Sequence, residues 1–351
     1  MQEVVDNLSQ AINKAAAQKR PLRIRGGGTK DFYGAAPAGE TLDVTGYRGI
    51  VSYEPTELVI TARAGTPLTE IEAALGERGQ ALAFEPPHFG SSATLGGCIA
   101  AGLSGPRRAY AGAVRDFVLG VRMLDGKGDD LRFGGQVMKN VAGYDVSRLM
   151  AGSLGTLGVL LEVSLKVLPV PPVETTLRLE CDGAKAVELM NAWAGMPLPV
   201  SATLFRDGQL YARLSGARAA VDAAAKTIGG SVIDSGPLWS AIREQTDPFF
   251  AGSTPLWRLS VKPTTLPLAL PGKHLIEWGG ALRWLKSDAA PETVRAAAAK
   301  AGGHATLFRG GDKAAGVFHP LPPTLMKLHR NLKQALDPSG IFNPGRLYPD
   351  L

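Results

Sequence analysis

The stretch from Glu85 to Gly112, EPPHFGSSATLGGCIAAGLSGPRRAYAG, constrains the fold more than any other part of the chain. Gly90, Gly96, Gly97, Gly102, Gly105 and Gly112 are interleaved there with Ala, Ser and Thr, so a long run of backbone carries almost no side-chain bulk. A large flat ligand could lie against such a surface. A shorter partner lies upstream in Pro21 to Lys30, PLRIRGGGTK, where a short run, Leu22 to Ile24 with Arg23 between its apolar residues, reaches Arg25, three glycines and Thr29. This is how a buried strand ends in an anion-cradling turn, because residues free to take positive φ can aim successive amides at one phosphate. Gly26, Gly27 and Gly28 would supply amides, Thr29 a hydroxyl, and Arg25 or Lys30 the compensating charge, together a grip for a diphosphate. Each glycine taken singly is turn punctuation; their density and the preceding arginine favour a ligand. No G-x-G-x-x-G occurs and neither Gly-Lys pair fits a P-loop, which disfavours a Rossmann site and a mononucleotide kinase site.

The chain has 351 residues, 45% hydrophobic and 20% charged, enough for two domains with separate cores and unlike a disordered or collagen-like sequence. No apolar run approaches the length of a membrane span, and Met1 to Lys19 lacks a signal-peptide core, so a cytoplasmic protein is expected, with peripheral membrane association through a partner left open. The net charge of +6 is scattered as single Arg and Lys residues, without the basic runs that mark nucleic-acid binding. Cys98 and Cys181 form no C-x-x-C, zinc or iron–sulfur signature, so any cluster must belong to a partner.

Val4, Val5, Leu8, Ile12 and Ala15 or Ala16 predict an amphipathic helix over residues 3–18. Leu42 to Val44, Ile50 to Glu54 and Leu58 to Ala64 read as strands, and Thr66 as the N-cap of a helix with Pro67 at its first position. Phe117 to Leu124 predicts a strand, followed by a hairpin at Asp125 to Gly128 whose tip faces solvent. Val141 to Met150 reads as a helix and Val159 to Leu168 as a strand. Pro169, Pro171 and Pro172 then set a domain boundary. Beyond it Ala202-Thr203-Leu204-Phe205-Arg206 echoes Ala305-Thr306-Leu307-Phe308-Arg309, and Ala217 to Ile228 and Pro291 to Ala301 read as helices. Two similar β-α-β halves in one antiparallel sheet, a ferredoxin-like domain, account for this pattern. Trp239, Trp257, Trp278 and Trp284 are expected in its core. Thr324 to Leu336 predicts an amphipathic helix carrying Leu325, Leu328, Leu332 and Leu336.

RGGGT, then ATLGG followed by SGPRR and AG-x-x-RD, then GS-x-GTLG, in that order, resembles the FAD-binding fold of the vanillyl-alcohol oxidase type. Lys139 to Pro169 and DPSGIFNPGR at Asp337 to Arg346 are similar to its glycolate oxidase and D-lactate dehydrogenase branch, and the short middle region narrows the likeness to FAD-binding subunits of glycolate oxidases. The resemblance covers roughly the first half of the chain and its tail. It implies an α+β fold, with a two-subdomain FAD-binding domain over residues 1–171, a small ferredoxin-like cap over 172–320, and a helix and tail over 321–351 returning to the FAD domain. It places Arg25, Gly26, Gly27, Gly28, Thr29 and Lys30 on the diphosphate. Thr94, Leu95, Gly96, Gly97, Gly105, Arg108, Tyr110 and Gly112 would lie along the ribityl chain and isoalloxazine, Gly155, Gly158 and Val159 would approach the ribose and adenine, and Pro87, Asp116 and Asn343 are further implied contacts of the cofactor.

The implied function is that of an FAD subunit in a complex that oxidises glycolate to glyoxylate, passing electrons to a non-NAD acceptor. The implied partners are a larger FAD-bearing catalytic subunit and an iron–sulfur subunit, with a small carboxylate as substrate. A self-sufficient hydroxy-acid or polyol oxidase and a non-catalytic assembly subunit are the alternatives. Some relatives attach FAD through a histidine near the first glycine turn; that turn has none, and His88 is expected in a surface turn, so FAD would be non-covalent. Cys98 reads as packing. Hydroxy-acid oxidation needs a base and a cation. His88, His274, His304, His319 and His329 form no metal pattern, so the metal-and-histidine set of the D-lactate dehydrogenase branch is missing and no metal is expected. His304 and Arg309, expected close together near a strand end, are the candidate pair.

Overall fold

Residues 1–135 and 145–351 are described by the computed structural model. They divide into two compact units: Met1–Leu103, Ala113–Pro169 and Pro320–Leu351 form the first, Ser104–Gly112 and Val170–His319 the second.

The first unit opens with α1 (Gln2–Gln18), which buries Val5, Leu8, Ile12 and Ala15 at helical spacing and ends where Lys19 turns left-handed, φ 53. β1 (Leu22–Arg25) pairs in parallel with β2 (Glu40–Asp43). Next come β3 (Ile50–Glu54), β4 (Val59–Arg63), α2 (Leu68–Gly76), β5 (Gln80–Ala81) and α3 (Leu95–Ala101). After α4 (Arg108–Ala111), which falls in the second unit, the first resumes with α5 (Val114–Phe117), β6 (Val118–Leu124), β7 (Asp130–Gly134), α6 (Val146–Leu149), β8 (Val159–Lys166) and β9 (Leu168–Pro169). Its main sheet is antiparallel, in the order β3-β4-β8-β6-β7. The inner strands are buried on both faces and the edge strand β7 alternates, as position in a covered sheet demands.

Three local expectations are corrected here. Thr66 is not an N-cap: α2 starts one residue later, after Pro67, and the buried Thr66 hydroxyl instead accepts from Gly49 N at 2.8 Å. The hairpin tip is only half open to solvent: Lys127 is exposed, but Asp125 and Gly126 are buried and Gly126 N donates to Leu336 O at 2.8 Å. Of the helix expected over 141–150, residues 141–144 lie outside the described residues, and the described part is helical at Val146–Leu149 and ends one residue early, before Met150.

The second unit is one eight-stranded antiparallel sheet. Its elements are β10 (Val173–Glu180), α7 (Gly183–Ala194), β11 (Val200–Arg206), β12 (Gln209–Gly216), α8 (Arg218–Ile228), β13 (Ser231–Ile233), α9 (Leu238–Glu244), β14 (Leu256–Ser260), β15 (Lys273–Glu277), β16 (Leu282–Lys286), α10 (Pro291–Lys300) and β17 (His304–Arg309). The first half is a β-α-β-β-α-β unit ordered β13-β10-β12-β11, the ferredoxin-like arrangement; the second half continues β15-β16-β14-β17, the same order reversed. The five-residue echo does not mark this symmetry. One copy is the second strand of its half and the other the fourth; both are strands whose inward residues fill a core, which selects similar side chains at unrelated places. All four tryptophans expected in this core are buried.

The chain returns to the first unit through α11 (Pro323–Leu336). Its leucine stripe faces outward: Leu325, Leu328 and Leu332 are 44%, 52% and 37% exposed. The inward residue is Lys333, whose Nζ donates to Thr156 O at 2.8 Å and to Asp337 Oδ2 and Phe342 O at 2.7 Å. That ring of acceptors fixes the tail, so that Ile341 and Phe342 join the core under α1.

Candidate functional site

β1 ends at Arg25, and the chain turns through Gly26 to Lys30 directly against the segment that leads into α3. A Cβ on Gly26 would stand 2.5 Å from Thr94 Oγ1, and one on Gly27 1.5 Å from Ser92 O. Gly28 is left-handed, φ +73. Packing this tight lets Ser92 Oγ donate to Gly27 O at 2.9 Å. It also leaves the donors pointing elsewhere. Among the described residues, the amides of Gly26, Gly27, Gly28 and Thr29 have no acceptor. Successive open amides on such a turn form an anion-binding concavity.

The cleft they face has a volume of about 90 Å³ and is lined by Arg23, Ile24, Arg25, Gly26, Gly27, Gly28, Thr29, Lys30, Asp31, Pro37, Thr94, Gly97, Ala100, Ala101, Leu154, Asn343 and Arg346. That is well below the ~300–1,000 Å³ of a pocket that encloses a drug-sized ligand, so it takes a polar fragment of a larger molecule. Cations ring it. Arg23 pairs with Asp31, and Arg25 Nε lies 3.5 Å from the same carboxylate. Lys30 Nζ donates to His88 O at 3.1 Å and Thr29 Oγ1 at 3.3 Å. From the tail, Arg346 Nη2 donates to Asp31 O at 2.9 Å and Nη1 to Ala35 O. Burial lowers the Arg346 pKa, Asp31 opposing and Arg23 adding to the effect.

Asn343 lines the cleft as a clamp. Its Oδ1 accepts from Ile24 N at 2.8 Å and its Nδ2 donates to Leu154 O at 2.7 Å, tying the tail to β1 and to the turn before β8. Thr94 caps α3, its hydroxyl accepting from Gly97 N at 3.3 Å. Leu95 and Gly96 are turned away: their amides donate to Thr66 O at 2.9 Å and Ala64 O at 2.7 Å, and both residues are buried.

Other expected contacts sit elsewhere. Gly105, Arg108, Tyr110 and Gly112 belong to the second unit rather than the first, where Gly105 O accepts from Trp278 Nε1 at 3.0 Å and Arg108 stacks on Trp278 at 4.4 Å. Asp116 caps its own short helix, Oδ2 accepting from Ala113 N at 2.8 Å. Gly155, φ +71, backs against the Asn343 amide. Gly158 packs on Met123 and Val159 is fully buried in the core with Leu8 and Ile12, so neither lines the cleft. Pro87 is buried outside it. His88 is not in an open surface turn: its ring is mostly buried, Nε2 3.1 Å from Glu72 Oε1. Burial pushes the Cys98 thiol up to about 12, as for a packing cysteine.

His304 and Arg309 are not brought together. They occupy opposite ends of β17, opposite Ser260 and Leu256, about 16 Å apart at the usual strand rise. Burial lowers both pKa values, Arg258 and His319 adding to the effect at His304. Among the described residues no group of His, Cys, Asp and Glu could hold a metal ion. Arg23, Ile24, Asp31, Pro37, Ala100, Ala101, Leu154 and Arg346 are the cleft residues that sequence reasoning missed; the alternating arginine of LRIR and the NPGR tail were the available signals.

A turn of open amides between cations and glycines fits a diphosphate, and the fold identifies the class. Residues 3–134 match the family described as FAD binding domain, and residues 309–347 that described as FAD linked oxidases, C-terminal domain. The structure resembles p-cresol methylhydroxylase with a TM-score of 0.71 at 16% identity, covering 99% of this chain and 87% of that one, a likeness of fold. The chain is thus an FAD-linked oxidoreductase of the vanillyl-alcohol oxidase fold, and its cofactor is FAD. It belongs to the family of glycolate oxidase subunit GlcE. It is 52% identical to that subunit from Escherichia coli K12 over 344 residues, 98% of this chain and 97% of the relative. Glycolate oxidase subunit GlcD of Bacillus subtilis is 32% identical over 176 residues, 49% of this chain and 37% of that protein. No helix among the described residues is long and apolar enough to cross a membrane.

Proposed function

We propose that this chain is the FAD-binding subunit of a glycolate oxidase complex that converts glycolate to glyoxylate. The observation that carries the reading is the identity over nearly the whole length with a glycolate oxidase subunit. Partners are then a larger FAD-bearing subunit and an iron–sulfur subunit, and any membrane association is peripheral, through the complex. When bound, FAD would supply a two-electron acceptor for the hydride leaving the substrate carbon, the hydroxyl proton passing to a base or to solvent. The chain's own residues hold the diphosphate on the amides of Gly26, Gly27, Gly28 and Thr29, with Arg25 and Lys30 balancing charge. Arg346 and Asn343 fix the turn from behind. Attachment is taken as non-covalent, because the first glycine turn, Gly26 to Lys30, holds no histidine.

The separation of His304 from Arg309 favours electron relay over substrate oxidation by this chain itself, because the base and the carboxylate cation do not form one site. Visible absorbance of the purified chain, then anaerobic glycolate with and without the partner subunits, tests this. Yellow protein that bleaches only in the complex is expected. Bleaching of the lone chain would make it the catalyst, and failure to take up added FAD would favour an assembly role.

A further inference from the structure

The two halves of the second unit differ at one crossover. Between β10 and β11 the chain forms α7, which seats Ala186, Val187 and Met190 on the sheet. The equivalent crossover, between β14 and β15, is residues 261–272, VKPTTLPLALPG, and contains no helix. Pro263, Pro267 and Pro271 recur at every fourth position, each removing an amide and blocking the helical turn. The resulting strap covers the sheet incompletely and leaves a cavity of about 180 Å³, walled mainly by apolar side chains including Phe205, Leu259, Leu268, Leu270 and Leu285.

Arg283 lines that cavity and is 4% exposed. Register puts it on the core face: on β16 it stands opposite Leu259 on one side and Ile276 on the other, both buried core residues. The corresponding strand of the first half, β12, fills its core face with Leu210, Ala212 and Leu214. Arg283 Nε donates to Gly280 O at 2.7 Å and Nη2 to Thr265 O at 2.6 Å. Nη1 makes no hydrogen bond to any described residue, and no described carboxylate pairs with the guanidinium. Burial is the only cause that moves its pKa, down to about 10. A cation held in an apolar wall without an anion is disfavoured unless something supplies one.

We propose that this cavity binds a short-chain aliphatic monocarboxylate, its carboxylate on Arg283 and its hydrocarbon against Leu259, Leu268, Leu270 and Leu285. The cavity holds the equivalent of about six waters at ~30 Å³ each, which suits a chain of a few carbons. All its residues lie in the second unit, so the proposal stands independently of the FAD reading.

The test is calorimetric titration of the full FAD-loaded chain with butyrate, with n-butanol and chloride as controls. Saturable binding of butyrate is expected, at least about tenfold tighter than butanol, and weakened at least about tenfold in Arg283→Met. Leu268→Trp, which fills the cavity and keeps the arginine, should abolish it, and decides the matter if Arg283→Met does not fold. The proposal is overturned by no saturable heat up to about 20 mM butyrate, by equal binding of butyrate and butanol, or by full retention in either folded variant. Chloride binding without butyrate binding would overturn it too, leaving a simple anion site. Loss of stability in Arg283→Met with no butyrate binding to the parent would reduce Arg283 to a clamp on the strap.

Discussion

The turn Gly26–Lys30 and the start of α3 at Thr94–Gly97 resemble each other as sequence: glycines beside a threonine, each following an apolar or small residue run. Their amides have opposite fates. In the first turn Gly26, Gly27, Gly28 and Thr29 donate to no described acceptor. In the second, Leu95 reaches Thr66 O, Gly96 reaches Ala64 O, Gly97 reaches Thr94 Oγ1 and Cys98 reaches Thr94 O, all within 3.3 Å. A glycine can therefore serve a ligand by presenting an amide, or serve the chain by letting two backbones meet. A helix N-terminus whose amides are already bonded has little left for a phosphate, despite the favourable end of its dipole.

The sharpest way to break this contrast is Gly27→Val. Its Cβ would fall 1.5 Å from Ser92 O, a clash no rotamer relieves, so the open turn must move. Flavin retention after gel filtration should fall at least about a hundredfold in affinity; a variant that stays yellow would remove the turn from the site. Lys333→Met comes next. It leaves the fully buried Asp337 without its ion partner and unties the tail that backs the turn. A loss of about 3–5 kcal/mol in urea unfolding is expected; under about 1 kcal/mol would mean the tail is held otherwise.

Gly96→Ala probes the closed turn. Its Cβ would meet Ala64 Cβ at 2.8 Å and Ala64 O at 3.1 Å, costing about 1–3 kcal/mol of stability as overpacking does. FAD affinity of the folded variant should stay within about threefold, whereas a large affinity loss would put α3 on the cofactor. The smallest signal is Cys98. With its thiol pushed up to about 12 from 9.0 by burial, it should stay silent to a thiol reagent at mildly alkaline pH and react only on unfolding. Because the folded pKa is the higher one, this group's share of stability is complete below pH 9.0 and is lost as pH rises toward about 12. A Cys98→Ala variant should lack that alkaline loss, and rapid labelling of the native chain would show α3 to be loosely packed.

Much of the first unit was legible because it is written locally. Helical spacing located α1, the proline cluster after Val167 sits where the units divide, and the glycine triplet sits where the backbone turns sharply. The cleft was legible only in part. Arg25, Gly26, Gly27, Gly28, Thr29, Lys30, Thr94, Gly97 and Asn343 line it, yet nothing local distinguishes Gly97 from its buried neighbour Gly96. Arg346 was hidden for a different reason: it reaches Asp31 across most of the chain's length, through a tail positioned by Lys333.

The amino-acid sequence by itself determined where the backbone can turn, where it cannot be helical, and which cofactor family it resembles, since φ freedom, missing amides and motif order are properties of neighbouring residues. Only the tertiary structure decided which amides stay open, that His304 and Arg309 stand apart, that residues 104–112 join the second unit, and that Arg283 is buried with no carboxylate partner among the described residues. Each of these depends on the register between segments distant in the chain. A shift of one residue in a strand turns its side chains to the other face, so no local pattern carries that information.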